Sequence, residues 1–486
     1  MTVPRTVALG AVALLLAACG DDGDEGGAAR ATTSTTSTTS TRPLEPVDGA
    51  DSAGDPYYPS LGATGYDVEH YDLALDVDPA GAGALSGVAT IDAVATTDLA
   101  SFALDLVGMQ VDTVTVDGEP ATASQEGDEL RITPVAPIAL DSEFTTVVTY
   151  TGSPGPLDSG VELLPDVGWF DLPGDAGSYV LSEPSGGATW FPANDHPVDK
   201  ATYTFHVTVP EGYEAAANGV LQDEQTRRGR TTWQWDMDRP MASYLATVVV
   251  GQLTFEDAGE AGGVAIRNVY ADSIAEGASA TFERQGEMLE HFAGLFGPYP
   301  FDVYGAVVVD DQLFVALETQ TLSIYGRDIL GYPQETESVV AHELAHQWFG
   351  DAVTPDTWQD IWLNEGFATY AEWLWVDHAG GNSLDSMAAG AHQSLQGDEP
   401  VPPGDPGAED LFHTSVYWRG ALALHALRET VGDDAFFAIL QTWVERNDGA
   451  SVNTADFVAL AEEVSGDELS ALLDAWLYDP EMPDLP

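Results

Sequence analysis

Two histidines and a glutamate stand together in one short stretch, His342-Glu343-Leu344-Ala345-His346. A spacing of four residues puts both imidazoles on one face of an α-helix, about one turn apart, where they can grip a single ion. Glu343 is turned away from that face yet lies close enough to reach a water beside the ion, the place of a general base. Catalytic zinc commonly takes three protein ligands and leaves one position open, so a third donor is required. Glu365 supplies it. Eighteen residues (347–364) separate it from His346, among them the helix breaker Pro355, and Trp362-Leu363-Asn364-Glu365-Gly366-Phe367-Ala368 opens a second helical run. Two imidazoles and a carboxylate form a zinc set, whereas softer metals call for thiolates. Glu372 follows Glu365 by seven residues, two turns on and on the same helical face. There a carboxylate can orient a ligating imidazole through its other nitrogen.

These groups need helices to hold them. Glu335 and Glu337 suit the positive end of a helix that the pattern carries through Phe349, with Gly350 as its stop. Apolar residues at helical intervals between Ile274 and Phe296 predict another helix, ended by Gly297-Pro298, and Gly305 to Val309 reads as a strand. Upstream the period is two. Tyr71, Leu73, Leu75 and Val77 alternate with Asp72, Ala74 and Asp76, and Tyr203 to Val209 repeats the pattern, as half-buried strands do. His378, His392, His413 and His425 have no ligand spacing and read as surface or satisfied core histidines.

The chain has 486 residues, 44% of them hydrophobic, which is ample for a large core. Its 80 acidic residues against 15 basic ones give a net charge of −65, and Lys200 is the only lysine. Such a surface repels phosphate backbones, so nucleic-acid partners are excluded. Residues 1–18 carry Arg5, an apolar stretch from Val7 to Leu16 and small residues at Ala17 and Ala18, the pattern of a secretory leader. Leu16-Ala17-Ala18-Cys19 resembles the bacterial lipobox, in which the cysteine carries lipid after cleavage. The expectation is an extracytoplasmic protein, lipid-anchored through Cys19 to the outer face of a bacterial cell membrane. The Thr/Ser run from Thr32 to Thr41 reads as a tether, with residues 19–55 disordered.

His342 through Gly350, followed by Asn364-Glu365-Gly366-Phe367-Ala368, resembles the gluzincin zinc aminopeptidases, family M1, over roughly residues 56 to 486. The resemblance implies a multidomain α+β chain: an N-terminal all-β saddle domain over 56–255, then a thermolysin-like, mainly helical catalytic domain over 256–486. It also implies a short form without the family's C-terminal helical domain. His342, His346 and Glu365 become the ligands of one Zn2+ and Glu343 the general base. Val416-Tyr417-Trp418-Arg419-Gly420 is similar to the family's Tyr-x-Lys-Gly segment, which assigns Tyr417 to the oxyanion, with Arg419 in place of lysine. Phe314-Val315-Ala316-Leu317-Glu318-Thr319 takes the place of the exopeptidase motif, sharing its alanine and glutamate. Glu318, with Glu183 upstream of Trp190-Phe191-Pro192, is then the partner of a substrate's α-ammonium. The implied function is removal of N-terminal residues from peptides by attack of a metal-activated water. A zinc endopeptidase and a non-catalytic lipoprotein binding module remain the alternatives.

Overall fold

A computed structural model describes residues 45–485, apart from 82–83, 314, 332 and 398–400. The leader, Cys19 and the Thr/Ser run lie outside the described residues. The N-terminal part is built of sheets. Its largest has eight strands, centred on Tyr66–Asp78, which pairs antiparallel with Ala84–Ala95 and parallel with Ala201–Pro210. The two-residue period read from the sequence is the burial pattern observed: Tyr71, Leu73, Leu75 and Val77 are buried, as are Tyr203, Phe205, Val207 and Val209. One face of this sheet therefore meets the core and the other meets solvent.

The expected tether does not extend to residue 55. Val47–Asp48 pairs with the strand Leu99–Asp105, and Asp55 is buried. The Asp55 carboxylate accepts hydrogen bonds from the backbone N–H groups of Tyr57 (2.7 Å), Tyr58 (2.9 Å) and Trp358 (2.8 Å), and faces His196 Nε2 at 3.3 Å. One side chain thus ties the segment around residue 55 to the region between the two metal-motif helices. Composition alone could not show this, because the anchoring partners lie as far as 303 residues away.

A five-stranded sheet follows, ordered Leu253–Ala261, Val264–Ala271, Val303–Val309, Ser323–Gly326 and Ala316–Leu317. Its last strand is an antiparallel edge that delivers the chain to Glu318. Among the described residues eight α-helices complete the fold: α1 (Gln285–Phe296), α2 (Pro333–His346), α3 (Trp362–His378), α4 (Leu384–Leu395), α5 (Thr414–Val431), α6 (Asp433–Asn447), α7 (Thr454–Ser465) and α8 (Ser470–Leu477). The helix expected from Ile274 begins only at Gln285, after a 3₁₀ turn at Ala278–Thr281. Helix α2 ends at His346 rather than Phe349. The next residues turn tightly, and Gly350 adopts φ of 130°, a backbone region that favours glycine.

Helix α3 is the pivot of the catalytic half. Trp362 through Ala371 are all buried, so this helix is enclosed all round over that stretch, with α2 and α5 packed on it. Its contact with α5 is made backbone to backbone. A Cβ built on Gly366 would lie 2.9 Å from the Cα and carbonyl carbon of Gly420, and one on Gly420 would lie 2.9 Å from the Gly366 Cα. No flexible side chain stands there to yield. Helix propensity alone favours alanine over glycine by about 1 kcal/mol, whereas overpacking a tight contact costs about 1–3 kcal/mol. Gly420→Ala is therefore expected to lower the stability measured by denaturant unfolding; an increase would contradict the close approach of the two helices.

Candidate active site

The residues singled out in sequence converge on one cleft of about 430 Å³. Glu183, Glu318, His342, Glu343, His346, Glu365, Glu372 and Tyr417 all line it. Helix α2 presents His342 and His346, whose ring centroids lie 4.7 Å apart. Helix α3 presents Glu365 from its first turn, and one oxygen, Oε2, lies 3.2 Å from His342 Nε2 and 3.5 Å from His346 Nε2. The three donor atoms fall within 4.8 Å of one another. A tight group of two neutral-capable imidazoles and a carboxylate fits a zinc ion by donor type and by convergence.

The surroundings orient these donors. His346 Nδ1 lies 3.0 Å from the carbonyl oxygen of Phe349, a contact made possible by the turn that ends α2 and not foreseen from sequence. His342 Nδ1 faces Glu372 Oε2 at 3.7 Å, which is an ion-pair distance and longer than a hydrogen bond. Both arrangements leave Nε2 of each imidazole directed at Glu365. The Tyr417 ring stacks on His342 at 6.0 Å with 22° between planes, carried by the first turns of α5.

Glu318 is held from behind. Gln347 Nε2 donates to its backbone carbonyl (3.0 Å), while Gln347 Oε1 accepts from Thr321 N (2.8 Å) and Tyr299 Oη (3.2 Å). The residue next to the second histidine thus locks the end of the edge strand to the end of α2. From the N-terminal part, Asn218 donates to the Gln320 carbonyl (2.8 Å). Tyr244 donates to the Gly350 carbonyl (3.2 Å) and accepts from Asn364 Nδ2 (3.2 Å). Gln347, Asn218 and Tyr244 carry no sequence signal of their own, since their partners lie far along the chain.

Electrostatically the cleft is short of positive charge. Glu183, Glu318, Glu343 and Glu365 are all buried, and no Lys or Arg is among the lining residues. Burial, joined by the charge of Glu318, holds the Glu183 carboxyl well above its usual range. Burial likewise raises Glu318. Glu343 is pushed up to about 7 by burial, against the pull of His342 and His346. Burial would raise Glu365 too, but the His346 charge and the hydrogen bonds to both imidazoles outweigh it and bring it to about 2. Glu183 Oε1 and Glu318 Oε1 are buried with no hydrogen-bond partner. Buried carboxylate oxygens without partners are costly, and a cationic guest relieves them.

The sequence did not point to the rest of the wall. Leu163 and Leu164 arrive from the connection between Pro156–Asp158 and Asp166–Leu172; Leu163 is 59% exposed at the cleft. Val315, Leu317, Ile329, Val339 and Phe412 add further apolar surface. His413, next to Phe412, does not line the cleft. Its Nδ1 caps α5 by accepting from Ser415 N at 3.1 Å.

Comparison with known proteins agrees with this geometry. Residues 280–476 match the Peptidase family M1 domain and residues 166–245 match the Peptidase M1 N-terminal domain. Aminopeptidase N of Streptomyces lividans is 26% identical over 456 residues, covering 85% of this chain and 50% of its own length. Aminopeptidase M1 of Arabidopsis thaliana is 27% identical over 314 residues, 60% of this chain and 36% of its own. The chain thus spans half or less of the curated relatives it matches. A crystal structure of an M1 zinc metallopeptidase from Deinococcus radiodurans superposes with a TM-score of 0.84 at 36% identity, covering 90% of this chain and 99% of that one. That enzyme has also been solved with a Tyr-Ser-Ala substrate. The β-rich N-terminal part, the helical half and the ligand geometry all converge on one conclusion: this chain belongs to the M1 family of zinc metallopeptidases.

Proposed function

We propose that the protein is a zinc-dependent aminopeptidase that removes single residues from the free amino end of peptides. One observation carries the reading. Buried oxygens of Glu183 and Glu318 that accept no hydrogen bond, Glu318 Oε1 standing 3.9 Å from His346 Nδ1, sit in the same cleft as the ligand set His342, His346 and Glu365. An α-ammonium bound by those two carboxylates lies beside the reacting centre, so only the first peptide bond reaches it. An endopeptidase has no use for two buried anions at that point.

His342, His346 and Glu365 would hold the zinc, which when bound polarises the scissile carbonyl and lowers the pKa of water at the site. Glu343 takes the proton from the attacking water and returns it to the leaving amine nitrogen. A carboxyl poised near 7 is suited to both steps. The Tyr417 hydroxyl donates to the oxygen on which negative charge develops, and its ring is steadied against His342. Glu372 fixes the His342 ring from the side away from the ion.

The apolar walls and the absence of Lys or Arg from the lining residues support a preference for apolar side chains at the cleaved residue. An acidic side chain would meet only like charge there. We also propose that the mature protein is anchored to the outer face of a bacterial membrane by lipid on Cys19. Support for this comes from Arg5, the apolar stretch and Leu16-Ala17-Ala18-Cys19. Among the described residues no helix is long and apolar enough to cross a membrane.

Three outcomes test this reading. Aminoacyl chromogenic amides should be hydrolysed, N-acetylated peptides should not, and a chelator should abolish the activity until zinc is restored; cleavage of blocked peptides at internal bonds would instead favour the endopeptidase. Leucyl and phenylalanyl amides should outrank glutamyl amide, and the reverse order would refute the account of the pocket. Glu343→Gln should lower kcat by about 10²–10⁴-fold with zinc content retained. Glu318→Gln should cost about 1.5–3 kcal/mol of ammonium binding, read mainly as a higher KM; an unchanged KM would remove Glu318 from that role.

A further inference from the structure

Away from the cleft, a second group of donors meets where α4 packs on α5. Asp385 stands in the first turn of α4, and His425 and Glu429 stand one turn apart on α5. One ligand atom from each of the three falls within 4.8 Å of the others. His425 is 95% buried, being 5% exposed. Its Nδ1 lies 3.4 Å from the Tyr370 hydroxyl of α3, and no hydrogen bond is made by Nε2 among the described residues. The sequence reading of His425 as a satisfied core histidine accounts for only one of its two nitrogens.

We propose that Asp385, His425 and Glu429 form a second divalent-cation site, of the zinc type, that clips α4 to α5 outside the active-site cleft. The donor set of one imidazole and two carboxylates suits a borderline ion such as zinc. Both carboxylates are exposed at the surface, which gives the ion a route in. Neither has an ion-pair partner among the described residues. The neighbouring Arg428 has its Nε 2.8 Å from Asp433 Oδ1 and its guanidinium over the Phe437 ring, while its Nη1 is buried with no hydrogen-bond partner. Burial lowers the His425 pKa, with Arg428 acting in the same direction and Glu429 and Asp385 against it. The net shift keeps the imidazole in the neutral form that metals bind. An outer contact from the other ring nitrogen, here to Tyr370, is what fixes a ligating imidazole in place. Helix α5 carries Tyr417 near its start, so the clip would secure the far half of that helix.

The site does not rest on the peptidase reading, and its test is separate from activity. The full chain is equilibrated at buffered micromolar zinc, and bound metal is counted by elemental analysis. Asp385→Asn/Glu429→Gln should bind one zinc fewer than the parent, with circular dichroism and hydrolysis of aminoacyl amides unchanged. A control, Asp434→Asn/Glu445→Gln, neutralises two exposed carboxylates on α6 and should bind as many as the parent. Equal zinc in the parent and the Asp385/Glu429 variant would overturn the proposal. An equal loss in the control would overturn it too, reducing the effect to the acidity of the surface.

Discussion

Buried negative charge without a fixed positive partner is the constraint that organises this molecule. Four buried glutamates face one cleft, and the groups opposing them are two imidazoles. A low-dielectric site tolerates this only by protonating some carboxyls or by admitting cations. The cleft shows both responses. Glu365, facing both histidines, remains ionised, while Glu183 and Glu318 are driven upward by burial. A divalent ion and an ammonium are the two guests that would complete such a site, as the proposed function requires.

Holding those charges in register is the task of the surrounding fold. The proposed ligands come from two helices, the proposed oxyanion donor from a third, one proposed amine anchor from a strand edge and the other from the N-terminal sheets. Each is fastened by contacts that leave little slack: the Gly366–Gly420 approach between α3 and α5, the Gln347 lock on the edge strand, and the braces from Tyr244 and Asn218. Fixed donors need no reorganisation when charge develops in the reaction, which is the main source of electrostatic catalysis. The same logic explains how the helix carrying Glu365 can be buried on every side: its one charged residue in the buried stretch is matched by the two histidines facing it.

Much of this was legible in the chain itself. The ligand trio could be read because helical periodicity converts a spacing of four into a shared face, and because a second helical run placed Glu365 within reach. The strand alternation around Tyr71 and Tyr203 appeared as drawn. Less was legible at segment ends. Helix α2 stops at His346 because a tight turn takes over, and Asp55 belongs to the packed fold because its carboxylate binds backbone groups from distant segments. Propensity and composition report on neighbours along the chain, and these ends are set by neighbours in space.

The division follows the range of the forces involved. Local sequence determined which residue types were available and how helix and strand periods would orient them, and hence the donors, the base and the class of metal. Tertiary structure alone decided that Glu183 and Glu318 share a cleft with those donors, that His346 is oriented by the Phe349 carbonyl, that Leu163 and Phe412 shape the pocket, and that His425 meets Asp385. Each of these juxtapositions depends on packing between segments far apart in sequence, where desolvation and close contact choose the partner and no periodic signal can record the choice.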